Sequence, residues 1–188
     1  MAEDPLKAAG LDLPTMEKMV RLGIPHCGAL GVTVEEVRRD RVTFGLPYDR
    51  RFVGDPERGI LHGGVVTTLI DTVCGMAVMA KLMRILTIAT LDLRIDYLAP
   101  ARAEETLYAT AECYHTTRSV AFCRAWAWHK ATADGGGEEQ VATCAATFML
   151  NSVGKPPIRR DIEDQVAAAK AGNAQGAAPD AGGGKAGA

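Results

Sequence analysis

The stretch Gly59-Ile60-Leu61-His62-Gly63-Gly64-Val65-Val66-Thr67-Thr68-Leu69-Ile70-Asp71 begins as a loop and runs into a strongly apolar segment. Two of its features bear on the chemistry of a carbonyl group. Gly63 and Gly64 at a helix start leave backbone N–H groups unobstructed by side chains, where the helix dipole favours a developing negative charge. Asp71 stands among apolar neighbours, where an ionised carboxylate is costly unless it faces a polar partner or a cavity. Each residue also has a plain structural reading. The glycines let a helix start pack closely on a sheet, His62 caps the helix, and Asp71 makes a hydrogen bond to a neighbouring chain or sits in a buried structural pair. Their combination in one stretch makes it the candidate site.

The apolar run that follows predicts a helix over residues 63–83. Val65, Val66, Leu69, Ile70, Val73, Met76, Ala77, Val78 and Met79 cannot share one narrow stripe, so this helix must be wrapped on most sides. Thr67, Thr68, Asp71, Thr72 and Lys81 interrupt it, which argues for a buried helix of a soluble protein and against a membrane span. Upstream, Met16, Met19, Val20 and Leu22 recur at helical spacing and predict a short helix over 14–23, stopped by Gly23 and Pro25. Partial period-two alternation over 29–37 and 41–46 predicts a hairpin, and the charged, turn-rich segment 47–60 reads as a loop. Downstream, strands are expected over 85–98, 105–114, 120–132 and 140–150, the last after an Asp134-Gly135-Gly136-Gly137 turn. Leu91, Leu93, Ile95 and Tyr97 alternate with Asp92, Arg94 and Asp96, one apolar face against one polar face. Two strands before the helix and four after it predict an α+β architecture, an antiparallel sheet on one central helix.

At 188 residues, 47% hydrophobic and 23% charged, the chain accommodates one domain plus tails. Residues 1–25 form a leading helical segment and 26–151 the domain. In the 152–188 tail, a short solvated helix is expected over 159–171, and the Ala/Gly-rich end from Gly172 is too poor in large apolar side chains to offset its ordering entropy. A net charge of −2 offers no basic footprint for nucleic acid. The acidic opening MAEDPLKAAG is unlike a secretory signal. Cys27, Cys74, Cys113, Cys123 and Cys144 form no CxxC pair and have no histidine at ligand spacing, which suits reduced core thiols in a cytoplasm and no metal. Phe122, Trp126 and Trp128 share a strand face by parity and read as sheet packing.

His62-Gly63-Gly64 followed by Asp71, eight positions after the first glycine, resembles the PaaI-like branch of the hotdog-fold acyl-CoA thioesterases. The similarity continues through Thr90-Leu91-Asp92-Leu93-Arg94-Ile95-Asp96-Tyr97-Leu98-Ala99-Pro100-Ala101 and into Val141-Ala142-Thr143, covering about residues 26 to 151. The resemblance implies a hotdog fold, a sheet of five to six antiparallel strands wrapped around one long central helix. It also implies hydrolysis of acyl-CoA to free acid and CoA without a cofactor. In that scheme Gly63 binds the thioester oxygen, with Gly64 beside it. Asp71 acts as general base or nucleophile, and His62 orients the loop or contacts the thioester. Relatives carry an Asn or Gln shortly before the His-Gly-Gly stretch. Here Asp55-Pro56-Glu57-Arg58 stands there, so Asp55 is the substitute candidate. Thr90 is the nearest match to a family Ser or Thr on the strand after the helix. Among Arg94, Arg102, Arg118 and Arg124, the Arg118-Ser119 pair at a turn matches the family's position near the nucleotide, though a solvated turn arginine explains it equally.

Helix geometry adds a constraint. At a rise of ~1.5 Å per residue, Gly63 and Asp71 lie about 12 Å apart along one helix, too far for both to touch one carbonyl. Two antiparallel copies could supply both, and the family is understood to pair them across a dimer interface. A homodimer is the expected minimum, with a tetramer of stacked dimers as the larger assembly. Two other readings compete. A hotdog hydratase acting on enoyl or 3-hydroxyacyl thioesters would use a histidine and a carboxylate, but its His followed by Phe-Pro-Gly is absent. A non-catalytic acyl-CoA-binding protein would fit the missing loop amide.

Overall fold

The computed structural model describes residues 5–131 and 137–151. The expectations for Thr132, for Asp134-Gly135-Gly136, for the 159–171 helix and for the end of the chain lie outside these residues. The chain opens with α1 (Pro5–Ala8), α2 (Leu13–Lys18), a π-helical turn (Met19–Gly23) and α3 (Pro25–Leu30). The hairpin β1 (Thr33–Val37) and β2 (Val42–Leu46) follows, then a 3-10 turn (Arg50–Phe52) and a small hairpin of β3 (Val53–Asp55) and β4 (Ile60–Leu61). The long helix α4 (Gly63–Leu82) leads to β5 (Ile88–Tyr97), β6 (Leu107–Thr116), β7 (Val120–Lys130) and β8 (Glu138–Leu150).

Ala29 and Leu30, expected to begin a strand, are helical instead. Pro25 at the first helical position presets φ, and Gly31 at φ 72° closes α3 with its N–H on Gly28 O, so this segment has both helix signals in six residues. The loop expected over 47–60 contains β3 and part of β4, whose pairing is too short to show an alternation.

Six strands form one antiparallel sheet in the order β1-β2-β6-β7-β8-β5. Rows of opposed residues explain why it wraps a helix. Ala109, Ala127 and Ala142 face one another across three strands, as do Ala111, Ala125 and Cys144, and then Cys113, Cys123 and Ala146. These small side chains let α4 settle close to the sheet, and its Val66, Leu69, Ile70, Val73, Cys74 and Val78 are buried there. α4 meets the inner face of β2, β5, β6, β7 and β8. Its 20 residues and mean hydropathy of 1.6 would suffice to cross a membrane, polar interruptions notwithstanding, but 61% of that window is buried inside the fold. The leading segment joins the same core through Leu11, Met16 and Val20.

The outer face carries the aromatics, packed as expected. Tyr108 stacks on Trp128 at 4.7 Å between centroids, and Trp128 Nε1 donates to Thr110 at 3.0 Å. Trp126 Nε1 donates to Glu138 at 2.6 Å. His129 points inward and is 1% exposed.

Candidate active site

His62 caps α4, its Nδ1 accepting the Gly64 N–H at 3.0 Å. This bond consumes one of the two glycine amides. The Gly63 N–H has no acceptor among the described residues and remains available at the positive end of the helix dipole. Its carbonyl is clamped from the other side: Thr67 Oγ1 donates to Gly63 O at 3.0 Å and the Tyr97 hydroxyl donates to it at 2.9 Å. A Cβ at position 63 would stand 3.2 Å from the Tyr97 hydroxyl oxygen, so glycine there serves close approach as well as an open amide.

Asp71 lies two helical turns further on, half-buried, and accepts a 2.9 Å hydrogen bond from Thr90 Oγ1 on β5. Thr90 owes its orientation to a bulge. β5 pairs Thr90 with Phe148 and then Asp92 with Thr147, leaving Leu91 as an extra residue. That insertion inverts the strand's phase. Leu93, Ile95 and Tyr97 oppose the inner-face residues Ala146, Cys144 and Ala142, and Thr90 joins them opposite Phe148. The single apolar face expected for Leu91, Leu93, Ile95 and Tyr97 is therefore broken at Leu91, which is 51% exposed.

Asp71 opens on a groove of about 390 Å³. α4 contributes Thr67, Thr68, Asp71 and Thr72, and β5 contributes Thr90 and Leu93. The third wall is Ile24, His26 and Cys27 at the start of α3, which sequence reasoning did not place at the site. The four α4 residues fall at three- and four-residue spacing, a polar stripe on an apolar helix that was detectable in the sequence. His26 and Cys27 carried no such signal, since 45 residues separate Cys27 from its neighbour Thr72. Burial raises the Cys27 thiol's pKa above its ordinary value, partly countered by its hydrogen bond to Thr72. α3 can lie here because Gly28 passes directly under the Arg21 carbonyl, where any Cβ would collide.

The other candidates sit apart from Asp71. The Asp55 carboxylate takes Arg58 Nε at 2.7 Å and the backbone N–H groups of Glu57 and Arg58, which together hold it below the usual carboxylate range. It is committed to its own turn. Arg118 and Ser119 occupy the β6–β7 turn, where Ser119 O accepts from Leu150 N–H, at the Ile88 end of β5. The Tyr97 end of β5, beside Gly63, is the opposite one. Arg94, Arg102 and Arg124 are paired with Asp96, Glu105 and Glu112 respectively, whereas Arg118 has no carboxylate partner among the described residues.

Known proteins resemble this chain in sequence and in fold. The thioesterase superfamily profile matches residues 58–134, which include the helix start, Asp71 and β5. A Halobacterium salinarum protein named as a candidate esterase is 38% identical over 78 residues, 40% of this chain and 52% of that one, so the chain spans about half of that relative's length. The Escherichia coli protein YigI, named a medium/long-chain acyl-CoA thioesterase, is 27% identical over 164 residues, covering 79% of this chain and 96% of YigI. Among solved structures, a Pseudomonas aeruginosa protein is 38% identical with a TM-score of 0.60, covering 71% of this chain and 96% of that one. The E. coli PaaI protein, at 17% identity and a TM-score of 0.64 over 80% of this chain and 98% of its own, shares the fold. From the helix start through β5 the chain thus matches the thioesterase superfamily, and it shares the hotdog fold of the PaaI protein.

Proposed function

We propose that the protein hydrolyses acyl-CoA thioesters to free acid and CoA, at a site to which two copies of the chain each contribute. The observation that carries this reading is the division of labour along α4: an unpartnered Gly63 amide at its start, and the Thr90-held Asp71 two turns away on an open groove. About 12 Å of helix separates them, so one carbonyl meets both only when the Gly63 of one copy approaches the Asp71 of another. The free edge of the sheet supports this arrangement. β5 pairs only with β8 among the described strands, and its Leu91, Tyr97 and the adjoining Leu98 are 51%, 52% and 58% exposed. An unpaired edge bearing exposed apolar side chains suits burial against a second copy. A dimer is then the minimum, and a tetramer its stacked form.

In this site the thioester oxygen accepts the Gly63 N–H, which draws electron density from the carbonyl carbon. Gly64 and His62 fix the helix start behind it, and Asp71 activates water or attacks the carbon itself. Arg118 and Ser119 are assigned to the CoA phosphates, and Ile24 and Leu93 on the groove walls, with the name that YigI carries, support medium or long acyl chains. Five unpaired cysteines, all buried, suit a reducing cytoplasm. The decisive assay follows free-thiol release from acyl-CoAs of graded length, with absorbance at the enoyl-thioester band in parallel. Thiol release that rises with chain length is the expected result. Change in the enoyl band without thiol would make the protein a hydratase, and CoA binding with neither signal a non-catalytic binder.

A further inference from the structure

We propose that His26 is a positioning residue for hydrolysis, holding the attacking water beside Asp71; the assignment rests on the thioesterase reading above and selects its general-base form. The argument is an account of hydrogens in the groove. Thr68 Oγ1 donates to Gly64 O at 3.0 Å, Thr72 Oγ1 to Thr68 O at 2.8 Å, and Thr90 Oγ1 to Asp71. Thr67 is spent on Gly63 O, and the Cys27 thiol is left to donate to Thr72 Oγ1 at 3.4 Å. Each hydroxyl or thiol lining the groove has thus committed its one hydrogen to the protein. Outside the groove, the Asp55 carboxylate is held by Arg58 and the His62 Nδ1 lone pair by Gly64.

His26 differs. Its Nε2 lies 3.5 Å from Thr68 Oγ1, and since the Thr68 hydrogen is on Gly64 O, that oxygen can only accept. Nε2 therefore carries the proton in the neutral ring, and Nδ1 keeps a lone pair with no partner among the described residues. Asp71 and His26 are then the two strongest acceptors lining the groove, a carboxylate on α4 and an imidazole nitrogen on α3, beside threonine oxygens that keep only hydroxyl lone pairs.

A water between them donates one hydrogen to His26 Nδ1 and the other to Asp71. Its oxygen forms the new C–O bond as the second proton passes to the Asp71 carboxylate. The C–S bond then breaks with its electron pair on sulfur, and Asp71 returns the proton to that sulfur, so that thioester and water become acid and thiol. His26 exchanges no proton in the balance; it orients the nucleophile.

The test measures kcat and KM for the best acyl-CoA in H26A, H26N, H26Q and D71N, with melting temperatures to confirm folding. H26A is expected to lose between about 10- and 100-fold in kcat, the scale of a misplaced reactant, with KM near the parent value. H26N should recover most of that loss, because the Asn Oδ1 stands where Nδ1 was. H26Q, whose amide reaches only the Nε2 position, should not. Parent-like kcat in H26A overturns the proposal, as does rescue by Gln in place of Asn, or an H26A defect confined to KM. D71N separates the two levels. If D71N is inactive while H26A is unimpaired, only the His26 assignment falls; if D71N hydrolyses at the parent rate, the thioesterase mechanism itself falls.

Discussion

Thr90 reaches Asp71, at 2.9 Å, from a strand whose plain alternation would have turned it away. The extra residue Leu91 swings it to the inner face. A hydrogen bond to a charged group contributes roughly 1.5–3 kcal/mol. Thr90→Val, which keeps the shape and removes the hydroxyl, should therefore lower kcat by about tenfold or more, 1.4 kcal/mol being about tenfold in rate. Thr90→Ser should stay near the parent. Equal rates for Val and Ser in steady-state thiol release would show the bond to be incidental.

Asp71→Ala should cost at least ~10²-fold in turnover, the usual scale for a positioned acid-base group. Asp71→Asn should fold normally and be as slow. Parent-like hydrolysis in either variant would leave Asp71 a structural residue.

A mixture of two inactive variants tests the shared site. Asp71→Ala and Gly63→Pro, the latter deleting the amide N–H, are each expected to be inactive while folded by circular dichroism and sizing. In a co-refolded heterodimer, one site draws intact Asp71 and intact Gly63 from different chains, and the other lacks both. Partial activity should return, up to about half the parent value per dimer if the two sites act independently. Differentially tagged heterodimers that stay inactive would sink the model.

His129 predicts how stability responds to acid. Its Nε2 accepts the Arg102 N–H at 2.9 Å, so the ring proton sits on Nδ1, which donates to Thr106 O at 3.0 Å. Protonating Nε2 breaks the first bond and buries a charge, and burial holds the ring's pKa below its ordinary value. Between that lowered value and the unfolded value of about 6.5, the unfolded chain binds more protons. Stability is thus full above pH of about 6.5 and is lost as pH falls through the folded pKa. Melting temperature should drop from pH of about 6.5 to about 5, and His129→Gln should flatten that slope. An unchanged slope in His129→Gln would assign the acid sensitivity to carboxylates.

Gly28→Ala places a methyl group against the Arg21 carbonyl oxygen. Overpacking of this kind costs roughly 1–3 kcal/mol, and here it also pushes α3 from the groove. Calorimetry should record a lower melting temperature, accompanied by reduced kcat. Full stability would mean that the π-helical turn yields easily.

Periodicity and composition predicted α4 almost to the residue, six of the strands and their antiparallel character, though not their order in the sheet, because a 20-residue apolar helix has few ways to be covered. The spacing of Gly63 and Asp71 was readable for the same reason: both lie on one regular element. What the sequence concealed depended on irregular backbone or distant contacts. A single extra residue in β5 changed which face Thr90 joins, and no pattern in the strand announces it. His26 lies 42 positions from Thr68, and its approach depends on the tight crossing at Gly28. Asp55, singled out by its place before the His-Gly-Gly stretch, turned inward on Arg58, a local turn that outcompetes a distant role.

The inner face of the sheet has one practical consequence. All five cysteines are buried, with Cys74, Cys113, Cys123 and Cys144 between α4 and the central strands. A colour-forming disulfide reagent added to the native protein should therefore titrate the coenzyme released by turnover with little enzyme background. The same reagent in the absence of substrate becomes a clock for breathing motions. Those four thiols are modified only as fast as the helix lifts from the sheet, so their labelling rate measures how often the core opens.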